Sequence, residues 1–161
     1  MIEAWLAALE GTPLARALRD SVYIYPIVNT GHLAGVALLI GSIIPLDLRL
    51  VFAWPSVPLA PLWRVLTRTA AAGLLIALVF GSLLFAARAT DYAASGLFVS
   101  KMTVVAAAML NALALRVISP DEITRLLSTG EKPPRRFRIA GGFSLVAWIT
   151  ALTLGRMVGY F

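Results

Sequence analysis

The chain has 161 residues, of which 60% are hydrophobic and 14% charged, with a formal net charge of +6 and a mean hydropathy of +0.86. So much apolar sequence with so little charge excludes an ordinary soluble domain and points to a polytopic membrane protein. With no cysteine, disulfides, thiolate catalysis, Cys-held iron–sulfur clusters and covalent C-x-x-C-H haem attachment are excluded.

Residues 2–9 (I-E-A-W-L-A-A-L) place Ile2, Trp5, Leu6 and Leu9 on one helical face. The piece is too short to span and reads as an interfacial helix with Trp5 at headgroup level. Glu3 and Glu10 flank it without a basic start, so no cleavable leader is expected and the first span is expected to drive insertion. Gly11 breaks the helix. Thr12-Pro13 then supplies an N-cap and a first helical position for a second short helix to about Asp20.

The first span is expected over about 22–46. Pro26 falls near its start, where early amides lack helical partners, and Pro45 near its end. Val51 to Leu62, with Trp54, Pro55, Pro58 and Pro61, reads as a loop. The second span is expected over about 69–88, with Ala70, Gly73, Ala77 and Gly81 forming a small-residue edge that lets helices approach closely in lipid. Arg88 to Gly96 reads as a polar turn and 97–117 as the third span, carrying Lys101 and Asn111. Ser119-Pro120-Asp121-Glu122 has the form of a capping box, opening a short helix to about Leu127. A basic loop follows, Gly130 to Arg138, and then a fourth span over about 139–160. The expected fold is therefore all-α, a single four-helix transmembrane bundle with short N-terminal interfacial helices.

Charge placement predicts orientation. The loops between spans one and two and between three and four hold Arg49, Arg64, Arg68, Arg116, Arg125, Lys132, Arg135, Arg136 and Arg138. The other side holds Arg16, Arg19, Arg88 and Arg156. By the positive-inside rule the basic loops face the cytoplasm and both termini the periplasm or cell exterior. The cluster Arg135, Arg136, Arg138 then reads as a topology signal that meets anionic lipid. Because topology explains the basic composition, nucleic-acid binding is not expected; the bilayer is the evident partner. No phosphate loop, H-E-x-x-H or G-x-S-x-G occurs.

His32 is the sole histidine, within a stretch from Ser21 to Leu46 that has no charged residue. At about 1.5 Å per residue it lies about 15 Å into the membrane, near the midplane. Gly31 and Gly35 bracket it. They read either as space for a flat macrocycle or as a GxxxG helix contact with His32 hydrogen-bonded to a neighbour. Tyr25 and Asn29 are expected on the side of His32. Lys101 and Arg156 each lie about one turn from the exterior, and charge inside a span costs roughly 2.5–3.5 kcal/mol at the centre. Lys101 leans outward and can snorkel. Arg156 leans inward, with Tyr25, Tyr23, Asp20 and Asp91 as candidate partners. Asp47 is unfavourable at a helix C-terminus. Arg49, two residues on, is a poor partner for it, so Arg116, Arg68 or Arg138 is expected to pair with it. Asn111 is expected to bond across helices.

Tyr25 to Leu50 (Y-P-I-V-N-T-G-H-L-A-G-V-A-L-L-I-G-S-I-I-P-L-D-L-R-L) and Trp148 to Tyr160 (W-I-T-A-L-T-L-G-R-M-V-G-Y) resemble an uncharacterised family of small bacterial four-helix membrane proteins. That family has a His in helix one, a D-L-R-L exit and a terminal G-R-x-x-x-Y. A more distant likeness is to the four-helix membrane protoporphyrinogen oxidase and the copper-resistance D-type membrane domain. The oxidase type has a helix-one histidine that ligates b-type haem and an important helix-three lysine; His32 and Lys101 occupy those helices. The likeness implies haem b or a porphyrin as cofactor, with His32 as ligand to the iron and Tyr25, Asn29, Gly31, Gly35, Lys101 and Arg156 around it. A bis-His haem would need a homodimer or another subunit. Met102, Met109 and Met157 do not form the spaced series a Cu(I) site wants. Two other functions remain open: an accessory or assembly subunit of a larger membrane complex, and a proton or small-solute pathway through Lys101, Arg156 and His32.

Overall fold

A computed structural model describes residues 1–160, which form eight helices and no strand. Four are long and apolar enough to cross a membrane: α3 (Ile24–Leu50), α4 (Leu59–Ala87), α6 (Gly96–Ile118) and α8 (Arg135–Met157). The expected all-α four-helix bundle is borne out. The short helices are α1 (Ile2–Glu10), α2 (Pro13–Asp20), α5 (Ala89–Ala94) and α7 (Pro120–Thr129). With four spans, α1, α2 and α5 gather at one end, called here the terminal end. The loop 51–58 and α7 lie at the other, the basic end.

Local chemistry explains most of the boundaries. Thr12 caps α2, its hydroxyl accepting from the Ala15 N–H at 3.2 Å, with Pro13 in the first turn. Ser95 caps α6 in the same way, from Phe98 N–H at 3.4 Å. The capping box expected at Ser119 does not form: Ser119 makes no side-chain cap, and Glu122 instead pairs with Arg136 of α8. α7 ends on Gly130 at φ +66°, a left-handed conformation that glycine adopts without strain. α4 starts at Leu59, ten residues before the expected Thr69. Pro58 flanks it and Pro61 lies in its first turn, where a missing N–H breaks no helical bond; prolines that read as loop are a helix start. The expected polar turn at Arg88 to Gly96 contains α5.

In the membrane, helix packing depends on close backbone approach rather than on expulsion of water. α3 and α4 form the most extensive pair, α3 and α6 each pack on α8, and α4 makes no close backbone approach to α6. Glycines set the α3–α4 pair. A Cβ on Gly35 would sit 2.5 Å from the Ala77 amide nitrogen, and one on Gly73 would sit 2.5 Å from that of Leu39. These are backbone atoms, which cannot swing aside. Leu39, Ala70, Ala108, Ala147, Trp148 and Ala151 meet in one core drawn from all four spans. Leu46, Leu50, Leu59, Leu126 and Phe137 close the basic end, and Leu18, Val28 and Ala87 tie α2 to the terminal end.

The N-terminal helices are held by polar bonds as well. The Glu10 carboxylate accepts from the Thr90 N–H at 2.8 Å and its hydroxyl at 2.7 Å. Arg19 donates to the Ala87 and Glu10 carbonyls at 2.9 and 2.8 Å. The Thr90 hydrogen bonds hold the Glu10 carboxyl below its ordinary value of 4.5. Trp5 stays 79% exposed, as an interfacial side chain should.

Two outcomes are expected. Gly35→Ala forces α3 and α4 apart and destabilises the bundle by about 1–3 kcal/mol in detergent unfolding, whereas Gly41→Ala, with nothing within 4 Å of its Cβ, leaves stability unchanged or slightly higher. The Glu10 clamp contributes fully above the unfolded carboxyl's value and is lost as pH falls through the lower folded value. Hydrogen exchange at the Thr90 amide should therefore lose protection on acidification, and Glu10→Gln should remove that pH dependence.

Candidate functional site

His32 lies about 12 Å along α3. Its ring turns toward α4, where Nδ1 lies 2.8 Å from the Ala77 carbonyl oxygen. A carbonyl only accepts, so Nδ1 carries the hydrogen and donates. In the neutral ring this leaves the lone pair on Nε2, which has no protein partner among the described residues. Gly81 of α4 makes room for the ring: a Cβ there would meet His32 Nδ1 and Cε1 at 3.1 Å.

The flanking glycines provide no room for a macrocycle on this side. The position of a Gly31 Cβ is occupied by the Phe80 ring at 2.8 Å, and that of Gly35 by the Ala77 backbone. Of the two readings of G-H-L-A-G, the helix contact with a hydrogen-bonded histidine is the one present. Asn29 is exposed. Three residues back, it points about 60° round the helix from His32, off the α4 contact; Val28 is the buried residue instead. Tyr25 is 36% exposed and is a neighbour of Tyr92 on α5. Burial pushes the Tyr92 phenol up, and the neighbouring Tyr25 adds to this.

Lys101 lies within electrostatic reach of His32. Its side chain packs along the last turn of α8: a Cβ on Gly155 would meet its Cε at 3.4 Å and its Nζ at 3.7 Å. The ammonium is 5.9 Å from the Phe98 ring centroid and forms no ion pair among the described residues. Phe98 belongs to a three-ring group with Phe85 at 5.5 Å and Tyr92 at 5.1 Å, which bridges the open seam between α4 and α6. The half of the bundle toward the terminal end thus holds an imidazole and an ammonium, each set against a glycine of a neighbouring helix and edged by aromatic rings.

Arg156 stands apart. None of Tyr25, Tyr23, Asp20 or Asp91 is its partner; it is exposed and donates to the Tyr160 hydroxyl one turn along its own chain. That nearby acceptor satisfies the guanidinium without a cross-helix contact.

At the basic end, Asp47 is 5% exposed and its Oδ2 has no hydrogen-bond partner. No cation from Arg116, Arg68 or Arg138 reaches it among the described residues. Arg116 and Arg68 are exposed, and Arg138 lies over the Phe52 ring at 4.1 Å. Ser144 of α8 is the side chain placed against it. Arg49 turns the other way, donating to the Val57 and Pro55 carbonyls at 2.8 and 3.2 Å, and so fastens the loop 51–58. Asn111 bonds across helices as expected, to the Ala140 carbonyl at 3.0 Å.

Sequence reasoning missed Phe80, Gly155, Ser144 and the ring group Phe85, Tyr92, Phe98. Gly81 was legible as part of the small-residue edge of α4, although not as the place where the imidazole fits. No group of three or more His, Cys, Asp or Glu that could hold a metal ion occurs among the described residues. No family model, no curated protein and no solved structure matches the chain.

Asp47→Asn keeps the shape of the side chain and removes a buried charge that has no counter-ion. It is expected to leave thermal stability unchanged or raise it by about 1–3 kcal/mol, measured by detergent unfolding; a comparable loss would reveal a partner for the carboxylate.

Proposed function

We propose that this chain is a small multi-pass protein of a bacterial inner membrane, with periplasmic termini and cytoplasmic basic loops, that binds b-type haem or a related porphyrin through His32 in a redox role. The observation that carries this reading is the Nδ1–Ala77 hydrogen bond. A metal-ligating histidine characteristically donates its other ring nitrogen to a carbonyl or carboxylate, which fixes the tautomer and ring orientation. The donor set fits such a group in kind: one imidazole nitrogen is anchored and the other available, and Lys101 is a cation without counter-charge that can meet a propionate. The resemblance to the oxidase type supports the same pair.

Bound haem supplies one-electron chemistry at its iron. The Ala77 carbonyl orients the imidazole, Lys101 offers charge, and the surrounding helices exclude water. Since α4 closes the Gly31 and Gly35 faces, a planar group would have to lie on the side of the imidazole away from α4. With a single histidine in the chain, His32 would be the one histidine this chain offers such a group, and a second histidine would have to come from another copy or another subunit.

A second reading, a non-catalytic accessory or assembly subunit, is favoured by α6. Only 6% of its apolar window is buried, against 28–39% in the other three spans, so it presents the most unoccupied helix surface.

The visible spectrum of protein purified after expression with ample haem separates these. The cofactor reading expects a Soret band that His32→Ala abolishes and Lys101→Met weakens. No band, or one indifferent to His32→Ala, overturns it; co-purification with a partner and no chromophore supports the subunit reading.

A further inference from the structure

The basic end carries a feature that neither reading uses. Val51, Arg135, Arg138 and Ile139 line an open groove of about 380 Å³. Its two cations come from the first turn of α8, three residues apart and therefore on one face. Neither has a carboxylate partner among the described residues, where the ion pairs are Arg125 with Glu131 and Arg136 with Glu122. The two other lining residues are hydrocarbon.

Arg138 is prearranged. Its guanidinium lies over the Phe52 ring at 4.1 Å, and Phe52 is held at φ +92° in the loop that Arg49 fastens. Stacking uses the face of the guanidinium and leaves its N–H edge free for hydrogen bonding. Trp54 of the same loop is 52% exposed, the position of an aromatic residue at a membrane interface. Beyond Ile139, α8 continues as a span.

We propose that this groove binds the headgroup of an anionic phospholipid, with its phosphate between Arg135 and Arg138 and the start of an acyl chain along Val51 and Ile139. Two unpaired guanidiniums match a phosphate in charge and in donor geometry. The apolar walls at a membrane boundary match a lipid better than a soluble anion. The site is distinct from diffuse attraction of basic loops to acidic membranes, because Arg136, between the two lining arginines in sequence, is neutralised by Glu122 and does not line the groove.

The test uses the full chain in phosphatidylcholine vesicles containing spin-labelled phosphatidylglycerol, with spin-labelled phosphatidylcholine as comparison. The motionally restricted fraction measures lipid retained on the protein. Wild type should retain the anionic label preferentially. Arg135→Gln and Arg138→Gln should each lower that preference about five-fold, and Arg136→Gln should leave it unchanged. Val51→Trp keeps every charge but fills the groove, and should also abolish the preference. Equal effects of all three arginine substitutions, or a preference that survives Val51→Trp, would reduce the site to surface charge. Displacement of the label by excess inorganic phosphate would replace the lipid with a soluble anion and overturn the proposal. A variant that failed to fold would be recognised by its circular dichroism, leaving the remaining variants to decide.

Discussion

The contact between α3 and α4 is the constraint on which the rest of the bundle depends. Gly35 and Gly73 bring the two backbones so close that neither position tolerates a Cβ. At that separation the Ala77 carbonyl comes within reach of His32, and the imidazole is turned and held. The same closeness fills the space beside Gly31 with Phe80. One packing solution thus fixes the histidine's orientation and decides which side of it is closed. α3 then passes its remaining surface to α8, and α8 to α6, so the position of Lys101 relative to His32 derives from the same contact at two removes.

Polar groups within the spans are handled in two ways. Most are satisfied by backbone carbonyls, as a medium without water requires. His32 reaches Ala77 and Asn111 reaches Ala140. Thr30, Thr67, Thr103 and Thr153 return their hydroxyls to the carbonyl four residues back. The Asn111 and threonine bonds tie helices together or disguise polarity, and they need no chemistry to explain them. Asp47 and Lys101 are different. One has a buried oxygen without a partner, the other an ammonium without a counter-charge. They lie toward opposite ends of the bundle, so neither can neutralise the other. Groups of this kind inside a membrane are where function is generally found.

Much of the fold was legible because its causes are local. Long uncharged runs mark spans, Thr12-Pro13 marks a helix start, and small residues four apart on α4 mark a contact edge. The early start of α4 was not legible, since Pro58 and Pro61 serve equally in a loop and in a helix's first turn. The site was legible in its types but not in its pairs. His32, Lys101 and Asn111 stood out as polar groups in apolar surroundings. Which neighbour each meets depends on helix rotation, which a single sequence specifies weakly. For that reason Arg156 was expected to look across the bundle when Tyr160 lies one turn away on its own chain. Asp47 was likewise expected to find Arg116, Arg68 or Arg138, but the first two turn outward and Arg138 lies over the Phe52 ring.

Toward the terminal end, α4 and α6 keep their backbones apart and rings fill the gap. Every other neighbouring pair of spans is joined main chain to main chain, whereas here Phe85, Tyr92 and Phe98 stand between two helices that meet through side chains. Rotating an aromatic side chain demands far less than sliding two interlocked glycine-faced helices. This flank is therefore the one held by side chains alone, and of the contacts between spans it is the one that can change with the smallest backbone movement.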